Sequence, residues 1–239
     1  MFFGRKAKKA EIDMNRLPTH IGVIMDGNGR WAQRRMMPRE YGHKAGAANF
    51  KKVVRHCGDI GIKTVTVYAF STENWSRPPK EVKAILHLLE EYLDSCENDC
   101  DAQDIRYIFI GDRSVLSPAL QERIDRIERI SADRPLTLNV ALNYGGRDEI
   151  AHAVNRLIAD GKREITPADI SSALYTAASP DPDLIVRTGG ELRLSNFLLW
   201  QAAYAELYFT DVLWPDLSAD DVDAAVKHFY ARQRRYGGV

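Results

Sequence analysis

Cysteine is nearly absent from this chain: Cys57, Cys96 and Cys100 are the only three in 239 residues. An odd count without paired metal spacing argues against a disulfide framework and suits a reducing compartment. Cys96 and Cys100 lie one helical turn apart and read as two thiols on one helix rather than half of a zinc site. Excess charge is absent as well. Thirty-three basic and thirty-three acidic residues cancel, so the chain is no polycation built for nucleic acid, and anion binding is left to local clusters. No apolar run reaches about 18 residues, so no transmembrane span is expected. Met1–Gly4 is too short for the core of a signal peptide. A cytoplasmic location is expected. Arg5, Lys6, Lys8 and Lys9 make residues 1–15 a flexible basic tail, either a solvated end or a weak contact for anionic lipid.

Internal repeats and low-complexity linkers are also missing, and residues 16–239 read as one domain. What the chain does have is a steady alternation of β-rich runs and longer amphipathic segments. Strands are expected at Ile21–Met25, Thr64–Tyr68, Arg106–Ile110, Leu136–Leu142, Leu184–Arg187 and Leu207–Phe209. Helices are expected at Ala45–Ile60, Lys80–Cys96, Ala119–Ser131, Glu149–Asp160, Pro167–Ala177, Phe197–Ala205 and Ala219–Arg234. This order predicts a single-domain α/β fold with a mostly parallel sheet of about six strands flanked by helices. Ligands of such sheets bind beyond the carboxyl ends of the strands. Polar and glycine-rich residues collect there, in the runs after Met25, Tyr68, Leu142 and Val186.

The first of these runs, Asp26-Gly27-Asn28-Gly29-Arg30-Trp31-Ala32, satisfies the G-x-G-x-x-A dinucleotide pattern. Two details weigh against that reading. Strand two ends near Phe70, about twice as far away as the usual ribose-binding carboxylate. Asp26 also faces the phosphate position, where a carboxylate is repulsive unless a cation bridges. A Mg²⁺–diphosphate site suits it better, because Mg²⁺ favours a carboxylate, substrate phosphates and water together. The amides of Gly27, Asn28 and Gly29 can cradle phosphate oxygens, and Arg30 adds a bidentate cation. Arg39 and His43 stand where the next helix begins and can reach the same anion, although a lone histidine is more often structural.

Trp75, between Asn74 and Arg77, suits either a lid over an apolar substrate or a core position. Arg187 and Arg193, around Gly189-Gly190 with Ser195 beyond, form a compact anion clamp on a flexible diglycine. Val82, Ile85, Leu86, Leu89, Tyr92 and Leu93 make a helical stripe that faces a core or lines a hydrocarbon channel.

Three long blocks resemble the signature motifs of the cis-prenyltransferase family. They are His20–Ala32 with Gly42-His43-Lys44-Ala45-Gly46, Tyr68–Pro78, and Asp183–Gln201 continuing into Tyr204–Phe209 and Trp214-Pro215-Asp216. Departures are mild: Leu192 stands where some bacterial members carry histidine, and the tail reads Arg235-Tyr236-Gly237 where many have phenylalanine. The resemblance implies a homodimeric, Mg²⁺-dependent enzyme with a hydrophobic tunnel. It condenses isopentenyl diphosphate units onto farnesyl diphosphate and supplies a polyprenyl carrier for cell-wall synthesis; a shorter or different-length product is the alternative. It implies Asp26 as catalytic and metal-binding, Glu206 as the second metal-associated carboxylate, and Asn74 as catalytic. Gly27, Asn28, Gly29, Arg30, Trp31, Arg39, His43 and Arg77 are implied around the allylic diphosphate, and Arg187, Arg193 and Ser195 around isopentenyl diphosphate. Phe70, Ser71, Glu73 and Trp75 are implied in the loop near both substrates, and Leu136 at a tunnel floor. Product release implies peripheral membrane contact, and the tail implies a reach into the partner subunit's site.

Overall fold

The structure, a computed structural model, describes Asp13, residues 16–99 and residues 104–231. The basic tail at residues 5–9, Cys100 and the Arg235–Gly237 tail lie outside the described residues.

Among the described residues six strands form one sheet: β1 (His20–Ile24), β2 (Thr64–Ser71), β3 (Ile105–Ile110), β4 (Leu136–Tyr144), β5 (Leu184–Arg187) and β6 (Glu206–Phe209). All pair in parallel, in the order β3-β4-β2-β1-β5-β6. Parallel strands are covered on both faces and read as continuous apolar runs. β1 does so, with all five residues buried. The helices are α1 (Asn28–Arg34), α2 (Arg39–Asp59), α3 (Pro79–Asp99), α4 (Pro118–Ile130), α5 (Gly146–Ala159), α6 (Pro167–Ala173) and α7 (Ala219–Ala231). One face of the sheet packs on α2, α3, α4 and α7 through residues such as Val53, Leu93, Ile124 and Val226. The other packs on a segment carrying Phe197 and Leu198, with α5 and α6 closing a smaller cluster. None of the described helices is long and apolar enough to cross a membrane.

Two expected helices differ. Phe197–Ala205 is a chain of turns with one 3₁₀ turn at Gln201–Tyr204, and Ser195, Asn196 and Leu198 all have positive φ. Phe197 and Leu198 are fully buried against the sheet. A short buried apolar run gives the same sequence signal whether helical or not. The second helix starts at Arg39 rather than near Ala45, which puts Arg39, Gly42 and His43 in its first turns.

His20 is the polar member of β1. Its Nδ1 lies 2.6 Å from the Pro180 carbonyl and its Nε2 2.7 Å from Thr66 Oγ1. The neutral ring satisfies both, donating from Nδ1 and accepting at Nε2. Burial lowers its pKa to about 4. The unfolded ring binds a proton near pH 6.5 and the folded one does not, so stability falls as pH drops from 6.5 towards 4. Unfolding by urea should show a loss of about 2 kcal/mol from this group between pH 7 and pH 5. His20→Gln should give a shallower pH dependence over that range; an unchanged slope contradicts the assignment.

Candidate active site

The chain leaves β1 towards β2 on one side and later returns to place β5 on the other. The crevice beyond β1 and β5 is therefore the switch point at which ligands of doubly wound sheets bind. Asp26 follows β1 and Arg187 ends β5. The Asp26 peptide is pinned: its N–H donates to Thr188 Oγ1 (2.9 Å), and its carbonyl accepts from Thr188 Oγ1 (2.6 Å) and the Trp214 amide (3.0 Å). One carboxylate oxygen accepts from Arg187 Nη2 at 3.0 Å, and the other lies 3.1 Å from Arg30 Nη2. Arg187 is buried, with 5% of its side chain exposed, and also donates to Ser195 Oγ (2.7 Å) and the Arg193 carbonyl. Its Nε has no partner.

The loop from Gly27 into α1 has the character the sequence suggested. Gly27 caps α1 at φ 114° with no side chain supplying a cap bond. The first amides of a helix have no intrahelical acceptor and are open to an anion. Arg30 is folded back, with Nη1 donating to the Gly189 carbonyl at 2.5 Å. The Gly189-Gly190 pair is hydrogen-bonded to the neighbouring segment: both residues have positive φ, and their amides donate to the Val212 and Thr210 carbonyls. Arg193 is largely exposed and pairs with Glu191.

Glu81, in the first turn of α3, gathers three further groups. Its carboxylate lies 3.1 Å from Arg39 Nη1, 3.0 Å from Arg77 Nη1 and 3.3 Å from His43 Nε2. Burial alone would raise its pKa, but Arg77, Arg39 and His43 bring it below the usual carboxylate value. Burial lowers the His43 pKa in spite of Glu81, which favours the neutral ring. Glu81 is a site residue that the sequence reading passed over, because a first-turn glutamate is also what any helix N-terminus favours.

The segment after β2 completes the rim. A register shift against β4 at Phe70 turns Phe70 inward and Ser71 towards the cleft. Asn74 Oδ1 accepts from the Ser71 amide (3.1 Å), Glu73 accepts from Asn196 Nδ2 (2.9 Å), and the Trp75 indole donates to Asn143 Oδ1 (2.8 Å). Trp75 stands edge-on to Phe70 at 5.0 Å and remains partly exposed, between the lid and core readings.

Asp26, Asn28, His43, Ser71, Glu73, Asn74, Arg77, Arg187, Arg193 and Ser195 thus line one cleft. The cleft adjoins, through Met25, Asn28, His43, Ala69 and Ile85, an apolar cavity lined by Phe70 and by Ile85, Leu86 and Leu89 of the expected stripe.

Three expected positions fall elsewhere. The Trp31 indole donates to Asp216 Oδ1 (2.7 Å) under the Arg35 guanidinium, on the side of α1 away from the cleft. Glu206 opens β6 in register with Leu184, three rows from Arg187. That is about 10 Å along a parallel strand, so one chain's Asp26 and Glu206 cannot hold a common ion. Leu136 opens β4 and lines a second cavity rather than the apolar one.

The donor set nevertheless fits Mg²⁺. Among the described residues no group of three or more His, Cys, Asp or Glu could enclose a metal. Asp26, with 29% of its side chain exposed, presents its carboxylate to the cleft that Asn28 also lines. That pattern matches an ion that takes one or two protein oxygens and completes its shell with phosphate and water.

The fold and cleft define a class: a parallel α/β protein whose charged crevice opens into an apolar chamber, the shape of a site for an anion with a hydrocarbon tail. The family model described as "Putative undecaprenyl diphosphate synthase" matches residues 24–237. An isoprenyl transferase of Fusobacterium nucleatum is 47% identical over 224 residues, covering 93% of this chain and 97% of its own. One of Streptococcus agalactiae is 45% identical over 250 residues, covering both chains fully. The lavandulyl diphosphate synthase of Lavandula x intermedia, solved in complex with dimethylallyl diphosphate, superposes with a TM-score of 0.89 at 33% identity, over 93% of this chain and 99% of that one. The chain belongs to the isoprenyl transferase, or undecaprenyl diphosphate synthase, family of cis-prenyltransferase enzymes.

Close packing of α1 on α2 holds the Gly27 loop in place. A Cβ on Gly42 would meet the Asn28 carbonyl oxygen at 2.0 Å, and backbone there cannot yield. Gly42→Ala should cost about 2–3 kcal/mol and lower Tm by roughly 5–10 °C, read by calorimetry. Lys44→Ala, on the exposed face of the same helix, is the control; equal Tm values would contradict the packing.

Proposed function

We propose that this enzyme extends an allylic diphosphate, farnesyl diphosphate, with successive isopentenyl diphosphate units, using Mg²⁺, and makes a polyprenyl diphosphate that serves as a lipid carrier for cell-wall synthesis. The observation that carries the proposal is the continuity of the Asp26–Arg187 cleft with an apolar cavity. An anionic head and a growing hydrocarbon tail need those two environments joined. A structural relative described with dimethylallyl diphosphate bound supports an allylic diphosphate as the substrate class.

In each turnover the allylic C–O bond breaks, the isopentenyl double bond attacks the allylic carbon, one proton leaves, and diphosphate is released. Negative charge grows on the departing group. Arg30 and the amides after Gly27 stand where they can hold it, and preorganised donors act strongly in such a cleft. Arg187, Ser195 and Arg193 would hold the second diphosphate so that the reacting carbons meet. When bound at Asp26, Mg²⁺ would neutralise phosphate charge as a Lewis acid. Asn74, fixed by the Ser71 amide, would face the reacting carbons. A homodimer and peripheral membrane contact at product release complete the proposal.

Asp26→Asn keeps an oxygen towards Arg187 and removes the charge, so the buried guanidinium retains an acceptor. Purified protein with Mg²⁺, farnesyl diphosphate and labelled isopentenyl diphosphate should yield polyprenyl products, and Asp26→Asn should lose about 10²–10³-fold in turnover. Turnover near that of the unaltered enzyme would remove the carboxylate from the mechanism.

A further inference from the structure

A tight turn between α1 and α2 holds large apolar side chains out in solvent. α1 ends in a Schellman arrangement: the Met36 amide donates to the Gln33 carbonyl (3.0 Å) and the Met37 amide to the Ala32 carbonyl (2.9 Å). Met36 takes the left-handed position of that motif, at φ 55°, where glycine is the usual occupant because a Cβ is crowded there. Pro38 then leads into α2. Met36 is 96% exposed, the most of any large apolar side chain among the described residues, and Met37 and Tyr41 beside it are exposed as well. A methionine in a strained conformation that buries nothing does not stabilise the fold, and such a position points to a role outside it.

Cations surround this apolar tip. Arg34, Arg35, Arg39 and Lys44 are all exposed, and Glu40 is the one acid between residues 33 and 44. Charges cancel over the whole chain, so the excess is local. The acids that reach the turn are already engaged: Asp216 accepts from the Trp31 indole (2.7 Å) and Arg35 (3.2 Å), Glu81 from Arg39 (3.1 Å), and Glu40 from Lys80 (3.1 Å). The Arg35 guanidinium also lies over the partly exposed Trp31 ring, 4.0 Å from its centroid. Apolar and aromatic side chains ringed by arginine and lysine match the headgroup level of a bilayer with anionic lipid. A protruding methionine suits insertion between headgroups, whereas a bound helix or peptide needs a groove.

We propose that the α1–α2 turn docks the enzyme on an anionic lipid surface, with Met36, Met37 and Tyr41 entering the headgroup layer and Arg34, Arg35 and Lys44 meeting lipid phosphates. The inference deepens the peripheral membrane contact proposed above and rests on that reading. Its place in the fold fits the reaction. α1 begins at the Gly27 loop of the cleft and reaches the turn after seven residues, about 10 Å at 1.5 Å per residue. Arg39 and His43, at the start of α2, meet Glu81 at the cleft mouth. A polyprenyl diphosphate leaving the cleft therefore has the lipid surface within about two turns of helix.

Co-sedimentation of the full chain with vesicles reads the contact. The unaltered protein should bind vesicles of phosphatidylglycerol and phosphatidylcholine in equal parts, and phosphatidylcholine alone about tenfold more weakly. Met36→Ser with Met37→Ser should weaken binding to the mixed vesicles about tenfold, and Arg34→Gln with Lys44→Gln by a similar factor. Met36→Gly separates lipid contact from folding: it relieves the left-handed strain, so Tm should rise by about 1–3 °C while vesicle binding falls. A lower Tm for Met36→Gly overturns the inference, because Met36 then serves the fold. Binding that survives the methionine changes but is lost when Arg5, Lys6, Lys8 and Lys9 are all changed to serine overturns it in favour of the basic tail. Methionine changes that alter the protein's own association in the ultracentrifuge and leave vesicle binding intact overturn it in favour of a protein partner. Vesicle binding is read without substrate, so an unaltered enzyme that binds vesicles and makes no prenyl product overturns the elongation reading, not this contact.

Discussion

The structure depends on one ion pair, between a buried Arg187 and a partly exposed Asp26. Arg187 ends a strand in the middle of the sheet with little access to water, and a charge placed there is costly unless paired. Asp26 pairs with it from the adjacent strand, and the Asp26 peptide is in turn held by Thr188 and Trp214. Much of the surrounding geometry follows from keeping these groups together. Gly189 stands at φ 84°, a backbone conformation strained for any residue with a side chain, and the positive φ of Ser195 carries its hydroxyl to within 2.7 Å of Arg187. The pair also leaves cationic donors facing the cleft, with Asp26 still partly exposed to accept a cation of its own.

Around this pivot the sheet sorts its surroundings by polarity. Charged loops gather beyond the carboxyl ends of β1, β2, β4 and β5, and the apolar sides of α2 and α3 enclose a chamber below them. Glu81 stands at the junction. By collecting Arg39, Arg77 and His43 it holds two guanidinium groups and a neutral imidazole at the mouth of the chamber without burying an uncompensated charge. Head and tail of an amphiphilic ligand are thus treated by different chemistry only one or two helical turns apart.

Much of this was legible in the sequence. The strand–helix alternation and the polar residues at the strand ends give both the sheet and the edge on which the cleft lies, because a parallel sheet has only one such edge. Asp26, Arg30, Arg187 and Ser195 meet there as their loops suggested. What was not legible depended on direction and depth. Trp31 shares a motif with the cleft residues, yet at the fourth position of α1 it points to Asp216. Glu206 opens its strand rather than following it, a distinction that motif order does not carry. Phe197-Leu198-Leu199 reads as helical by composition, but Asn196 at positive φ turns it under the sheet while accepting from the Gly146 and Arg147 amides. Tyr92 belongs to a stripe that the sequence leaves open between core and channel, and its edge-on contact with Phe50 required the packing of α2 on α3.

The most direct measurement is a crystal structure of the enzyme with Mg²⁺ and a thio-analogue of farnesyl diphosphate that cannot lose its leaving group. The account predicts the diphosphate between the Gly27 loop, Arg30 and Asp26, with the hydrocarbon tail running down the apolar cavity towards Phe50. A diphosphate bound away from Asp26, or a tail lying outside that cavity, would contradict it.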